Sequence, residues 1–214
     1  SCFLNEGYEI GSVGTVMPDV EVKIGENNEI LLRGKTVTTG YYKKPEATAA
    51  AIDRDGWFHT GDAGYLKDSH LYLTERIKDL FKTSNGKYIS PQALETKLAI
   101  DRYIDQIAVI ADERKFVSAL IVPVYGFVKD YAKEKGIAYS NMDELLQHSK
   151  IQALFRARID TLQQQFAHYE QVKRFTLLTE PFSMERGELT NTLKLKRSVV
   201  AKNYKGLIDK MYEE

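Results

Sequence analysis

TERIKDLFKTSNGKYISPQALE, Thr74 to Glu95, is the stretch on which the chain changes character. Before it, apolar and polar residues alternate, through Leu71 and Leu73 in HLYLTER and through Val20, Val22 and Ile24 in VEVKI, which is followed across GENNE by ILLR. Alternation of period two belongs to half-buried strands, and Gly25 to Asn28 has the composition of a hairpin turn. Within the stretch, Ser90 and Pro91 predict a helix over PQALETKLA, because serine caps orphan amides and proline suits the first helical turn. Beyond it, QIAVIA and VSALIVPV are short and β-branched and read as strands of a buried sheet. The charged junction RIKD, Arg76 to Asp79, therefore separates a β-rich unit from an α+β unit. No Gly/Ser linker marks it, but a hinge needs only a few residues that absorb backbone rotation.

Working outward, PEATAAAI predicts a short helix opened by Pro45, and the three glycines of DRDGWFHTGDAGYL predict a break in regular structure. GFVKDYAKEKG predicts a helix capped by Gly136. In SKIQALFRARIDTLQQQFAHY, Ile151, Leu154, Phe155, Ile159, Leu162 and Phe166 recur at spacings of three and four, the stripe of a helix packed on a core. VKRFTLL reads as a further strand. A last helix uses Val199, Val200, Tyr204, Leu207, Ile208 and Met211.

The 214 residues permit one large domain or two modest ones, and 43% hydrophobic content is enough for a core. Lys+Arg and Asp+Glu balance at 30 each, so no global field draws the chain to nucleic acid or to an anionic membrane. Cys2 is the only cysteine, which excludes an internal disulfide and fits a reducing compartment. SCFLNEGYEIG has neither a basic leader nor a long apolar stretch, and the longest apolar runs fall far short of the roughly 20 residues a membrane helix needs. The chain reads as cytoplasmic, and its start on Ser within a strand-and-turn pattern is that of a piece of something longer.

Three stretches have the makings of chemistry. In WFHTGDAG, Gly61 and Gly64 flank Asp62, which predicts a carboxylate on an open turn, able to accept hydrogen bonds from paired ribose hydroxyls. An ordinary turn-forming Asp has the same look. Arg76 follows fourteen residues later, and the SNGK loop beyond it holds Asn85 and Gly86 ahead of a helix N-terminus, offering backbone amides and left-handed backbone. A plain strand–turn–helix joint with solvated lysines fits equally well. GELTNTLKLKRS, Gly187 to Ser198, sets Lys194, Lys196 and Arg197 within four residues. It has no neighbouring aromatic for base stacking, and a solvated basic face or a lysine-protected edge strand accounts for it too.

Taken in order, TVTTGYYKKPEAT, GWFHTGDAG, RIKDLFKTSNGKYISPQALE and LTNTLKLKR resemble the C-terminal part of the adenylate-forming superfamily. The helical insert and the LKLKR ending are most similar to AMP-forming long-chain fatty-acid–CoA ligases. The resemblance covers essentially the whole chain. It implies an α+β fold, with residues 1–76 a barrel-like β-rich end of the large AMP-binding domain. Residues 77–214 would be the mobile C-terminal lid, with a helical insert at about 125–170. It implies an acid–thiol ligase that uses ATP, a fatty acid and CoA, with Mg2+ accompanying ATP, and releases AMP and pyrophosphate. By motif, Asp62 would hold the ribose hydroxyls, Arg76 would assist there, Lys78 would be the hinge, and Gly86 would help line the pantetheine channel. Lys194 would reach the α-phosphate, matched through the Lys-x-x-Arg spacing to Arg197, with Lys196 the fallback. Many relatives place Gly before this lysine, where this chain has Leu193, and long-chain ligases often have Pro where it has Asn191.

The family's phosphate loop and acyl pocket lie upstream of this region, so the resemblance implies that the fragment alone is inactive. A long-chain acid partitions into membranes, so the resemblance implies a parent enzyme that, though cytoplasmic, can work peripherally at a membrane surface. A ligase for another acid would share these motifs, and a non-catalytic interaction module would share the fold. No metal constellation is expected. Nucleic-acid binding through the basic run would show as strong salt dependence, and neutral net charge argues against it.

Overall fold

The computed structural model describes residues 9–213, so Cys2 and the stretch read for a leader lie outside the described residues. Two compact units divide between Leu80 and Phe81. The first contains β1 (Gly14–Thr15), β2 (Val20–Ile24), β3 (Glu29–Gly34), α1 (Pro45–Ala51), β4 (Phe58–Lys67) and β5 (His70–Arg76). Its strands form one five-stranded sheet in the order β1-β5-β4-β3-β2, with β1 and β2 at the edges and every pairing antiparallel. The expected β2–β3 hairpin forms across GENN, where Asn27 and Asn28 take positive φ of 53° and 59°, which asparagine tolerates better than most residues.

The break expected across the three glycines is confined to the turn at Gly56, whose amide donates to the Asp53 carbonyl at 3.1 Å; from Phe58 the stretch is not broken but is the ten-residue strand β4, which carries Gly61 and Gly64. Its irregularities are absorbed as register shifts, one between Glu29 and Leu31 on the β3 side and one between Ala63 and Gly64 on the β5 side. Gly64 is there for closeness: a Cβ on it would lie 2.2 Å from the Tyr72 carbonyl oxygen and 2.7 Å from Ile30 Cδ1. The β4–β5 turn at Asp68 and Ser69 has φ of 49° and 65°, the doubly left-handed form that matches strand twist.

The second unit begins with a short ribbon, β6 (Phe81–Lys82) against β7 (Tyr88–Ile89), and α2 (Pro91–Leu98), whose Ser90 Oγ accepts from Ala93 N at 3.2 Å. There follow β8 (Ile104–Ile110), β9 (Val117–Pro123), α3 (Tyr125–Glu134), α4 (Met142–Gln147), α5 (Ser149–Leu162), β10 (Val172–Leu177), α6 (Arg197–Asn203) and α7 (Lys205–Lys210). The sheet order is β10-β9-β8, with β10 parallel and β8 antiparallel to β9. All seven residues of β9 are buried, and its alternation divides the core. Val117, Ala119 and Ile121 join a cluster with Leu94, Val128 and Phe155 of the helices α2, α3 and α5. Leu120 and Val122 join another with Val200 of α6 and Ile208 of α7. The sheet is thus sandwiched between helices, and each fully buried aliphatic side chain contributes about 1.5–3 kcal/mol.

Two helices end earlier than their apolar stripes predict. α5 stops at Leu162, because the side chain of Gln163, 2% exposed, turns to bond Val172, accepting from its amide at 2.8 Å. Phe166 still packs on the core from the following turn. The last helix is two, parted at Tyr204 (φ −104°, ψ 18°), and Leu207 is left exposed. Gly136 does close α3, with φ of 62°. Among the described residues no helix is long and apolar enough to cross a membrane.

Candidate functional site

The candidate residues lie in four places, two in each unit. Asp62 lies in β4 directly opposite Arg76 of β5, and Arg76 Nε is 3.3 Å from Asp62 Oδ1. The open turn expected for Asp62 is instead a bend within a strand. Gly61 there takes φ of 70°, and no atom lies within 4 Å of a Cβ built on it, so it serves conformation rather than close approach. The bend is pinned by two side chains that the sequence did not single out. Glu29 accepts from Gly61 N at 3.0 Å and bonds His59 Nδ1 at 2.8 Å through its other oxygen. Thr60 Oγ1 donates to the Ile30 carbonyl at 2.7 Å and accepts from Asp62 N at 3.1 Å. Glu29 and Thr60 stand on the paired strands β3 and β4, Glu29 on the Gly61 amide and Thr60 on the Asp62 amide. Lys78 is exposed in a single 3-10 turn, Ile77–Asp79, just before the division between the units.

In the second unit, Gly86 sits at the tip of the β6–β7 ribbon with φ of 73° and open space around it. Thr83, 6% exposed, closes this loop by accepting from Gly86 N at 2.8 Å through its carbonyl and from Lys87 N at 3.1 Å through its hydroxyl. Ser84 N and Asn85 Nδ2 donate to the carbonyls of Arg114 and Lys115, so the ribbon is moored to the β8–β9 connection.

The basic run is neither an edge strand nor a featureless loop. Leu189 and Leu195 form a single bridge, and between them Thr190 N donates to the Lys194 carbonyl at 2.8 Å while Lys194 N donates to Thr190 Oγ1 at 3.0 Å. This tight turn holds the backbone of Lys194 and leaves its side chain exposed. Lys196, also exposed, stands at the N-cap of α6, and its amide donates to the Glu188 carbonyl at 2.7 Å. The turn is anchored by Glu188, whose residue is 1% exposed. Burial pushes its carboxyl up, but bonds from Arg186 Nε, Ser183 N and Asn203 Nδ2 outweigh burial and hold it below the usual carboxylate range. Arg197 turns away from the lysines and grips Glu95 with both Nη atoms, at 2.5 and 2.6 Å.

The structure thus pairs Asp62 with Arg76 in one unit and presents Gly86 and Lys194 from closed turns in the other. Glu29 and Thr60 were missed because they bond residues far along the chain, and Glu188 because nothing local marks a carboxylate that folding buries. Among the described residues no three His, Cys, Asp or Glu side chains gather in a way that would hold a metal ion.

The family described as the AMP-binding enzyme C-terminal domain matches residues 78–214. Among curated proteins, the peroxisomal long chain acyl-CoA synthetase 7 of Arabidopsis thaliana is 34% identical over 222 residues, covering 95% of this chain and 32% of its own length. Long-chain-fatty-acid–CoA ligase FadD15 of Mycobacterium tuberculosis is 32% identical, covering 96% of this chain and 34% of its own length. The chain therefore spans about a third of the curated relatives it matches. Among solved structures, the adenylation domain of a carboxylate reductase from Mycobacterium chelonae aligns with a TM-score of 0.65 at 26% identity, over 87% of this chain and 28% of that one.

Proposed function

The chain belongs to the family of AMP-binding enzyme C-terminal domains, and from that premise we propose that it is the C-terminal third of an AMP-forming long-chain fatty-acid–CoA ligase. The observation that carries this reading is that relatives with that activity in their names align along nearly the entire chain. They match beyond the family's domain into the β-rich unit that holds Asp62 and Arg76. In the proposed division, residues 1–76 finish the large AMP-binding domain, residues 77–214 form the lid, and Lys78 is the hinge.

The reaction has two steps. A carboxylate oxygen of the fatty acid attacks the α-phosphorus of ATP, the bond to the β-phosphate oxygen breaks, and acyl-adenylate and pyrophosphate form. The CoA sulfur, losing its proton, then attacks the acyl carbon and the bond to AMP breaks. Asp62 accepts hydrogen bonds from the ribose hydroxyls, and Arg76, already paired with it, fixes its orientation and adds a donor at the same sugar. Lys194 places its ammonium where charge builds on the phosphoryl oxygens. A preorganised donor at such a position is worth about 3 kcal/mol, roughly a hundredfold in rate. The closed turn between Thr190 and Lys194 supplies that preorganisation. Gly86, lacking a side chain at the ribbon tip, leaves room for the pantetheine arm in the second step. Mg2+ would enter on the phosphates of ATP; among the described residues no cluster of side chains would hold it.

The test is palmitate-dependent ATP–pyrophosphate exchange by the intact protein that contains this chain. Lys194→Ala should lower exchange about a hundredfold and leave conversion of supplied palmitoyl-adenylate and CoA largely intact. Exchange that survives there but is lost in Lys196→Ala would move the role to Lys196. Exchange driven by aromatic or short acids alone would favour the competing reading, an adenylating enzyme for another acid, which the likeness to the carboxylate reductase keeps in view. No exchange with any acid would leave the interaction module standing. The isolated 214-residue chain should release no AMP with either substrate class.

A further inference from the structure

Arg197 is three residues beyond Lys194 and opens α6, yet its guanidinium faces neither lysine. It forks onto Glu95 of α2, and the same Glu95 Oε1 also accepts from Val109 N of β8 at 2.8 Å. The guanidinium carbon also lies 5.5 Å from the ring centre of Phe81. Phe81 is the first residue of β6, paired with Ile89 of β7, and these two strands close the loop that holds Gly86. α2 begins directly after that ribbon, capped by Ser90. One guanidinium thus ties the segment that follows the Lys194 turn to one leg of the Gly86 hairpin, β6, and to α2, the helix that follows its other leg. Bidentate charge-assisted bonds of this kind fix orientation as well as distance, and a lysine cannot reproduce the fork.

On the reading proposed above, Lys194 serves adenylation and Gly86 serves thioester formation. We infer that Arg197 is a positioning residue for both steps: the Arg197–Glu95–Phe81 bracket makes the two loops one rigid assembly, so that whichever loop is presented, its geometry is set by the same contact. It touches no substrate. Its signature is a loss shared by two steps that Lys194 does not share.

The experiment compares wild type, Lys194→Ala and Arg197→Lys in the intact protein, in palmitate-dependent exchange and in the conversion of supplied palmitoyl-adenylate and CoA. Arg197→Lys keeps the charge and the stem, which favours folding, and should lower kcat about tenfold in both steps with KM for ATP and CoA changed less than threefold. Lys194→Ala should lower the first step only. Loss confined to exchange in Arg197→Lys, or unchanged kcat in both steps with only a lower Tm, overturns the inference. A wild type without exchange sinks the proposed function rather than the bracket, which is then read from amide hydrogen exchange in the 214-residue chain. There Arg197→Lys should speed exchange at least tenfold both within Thr190–Lys196 and within Thr83–Lys87. Faster exchange in the first segment alone, or in neither, overturns it.

Discussion

Leu193 adopts φ of 60° and is 68% exposed, a left-handed backbone on a bulky residue with little packing in return. That conformation costs an L-residue roughly 1–2 kcal/mol, and glycine escapes most of it. Leu193→Gly should therefore stabilise the Thr190–Lys194 turn by about 0.5–1 kcal/mol after glycine's extra unfolded freedom is deducted. Thermal unfolding should show a rise of about 1–4 °C, and a fall would mean that the Leu193 side chain holds the turn by contacts. Before the same turn, and supporting it, Glu188 makes a second prediction. Its folded carboxyl lies below its ordinary value despite burial, because Arg186, Ser183 N and Asn203 hold the ionised form. A depressed value means stability that is fully present above the unfolded value, about 4.3, and is lost as pH falls through the folded one. Glu188→Gln should cost about 2 kcal/mol at neutral pH and flatten the acid limb of the stability curve relative to wild type. Other carboxylates, among them Glu144 and Asp209, are depressed as well, so the comparison of the two curves isolates Glu188. Parallel curves would remove the carboxylate from this account.

At the scale of elements, period and punctuation made most of the fold legible. Alternation located β2 and β5, the hairpin turn after β2 located β3, the Ser90–Pro91 pair located the start of α2, and Gly136 located the end of α3. What stayed hidden depended on contacts between distant residues. Gln163 ends α5 by bonding Val172, and no local signal distinguishes it from the glutamines beside it. In β4, Gly61 and Gly64 read as part of a break, yet β3 and β5 pair along the strand with shifted register. The site shows the same split. Asp62, Arg76, Gly86 and Lys194 stood out by motif, whereas Glu29, Thr60 and Glu188, which hold their backbones, did not. The β4 reading is testable, because a side chain on Gly64 must collide with the Tyr72 carbonyl. Gly64→Ala should destabilise the β4–β5 pairing by about 2 kcal/mol, seen as faster amide exchange along both strands in the intact protein. Unchanged protection would mean that the strands are not as close as described.

At the scale of the whole molecule, the two units differ in how much they bury. Both core clusters lie wholly within residues 81–214, on the two faces of the β10-β9-β8 sheet. In the first unit the buried apolar side chains among the described residues are Ile30, Leu31 and Ala63, while Leu66 and Leu73 are exposed at 40% and 51%. Backbone ordering costs about 1–2 kcal/mol per residue, and a sheet with so few buried side chains cannot offset that from its own burial. Its strand pairing alone does not change the balance, since net hydrogen-bond stabilisation is modest. The sandwiched sheet of the second unit has the opposite standing, with a fully buried central strand and helices on either side. Residues 81–214 expressed alone should therefore unfold in one cooperative transition, at a midpoint within about 3 °C of the main transition of the 214-residue chain, a shift of about 1 kcal/mol or less. Residues 9–80 alone should give no cooperative transition by calorimetry and no protected amides beyond minutes. A second unit that melts broadly, or a first unit that folds by itself, would show that the chain's stability is not distributed as its burial is.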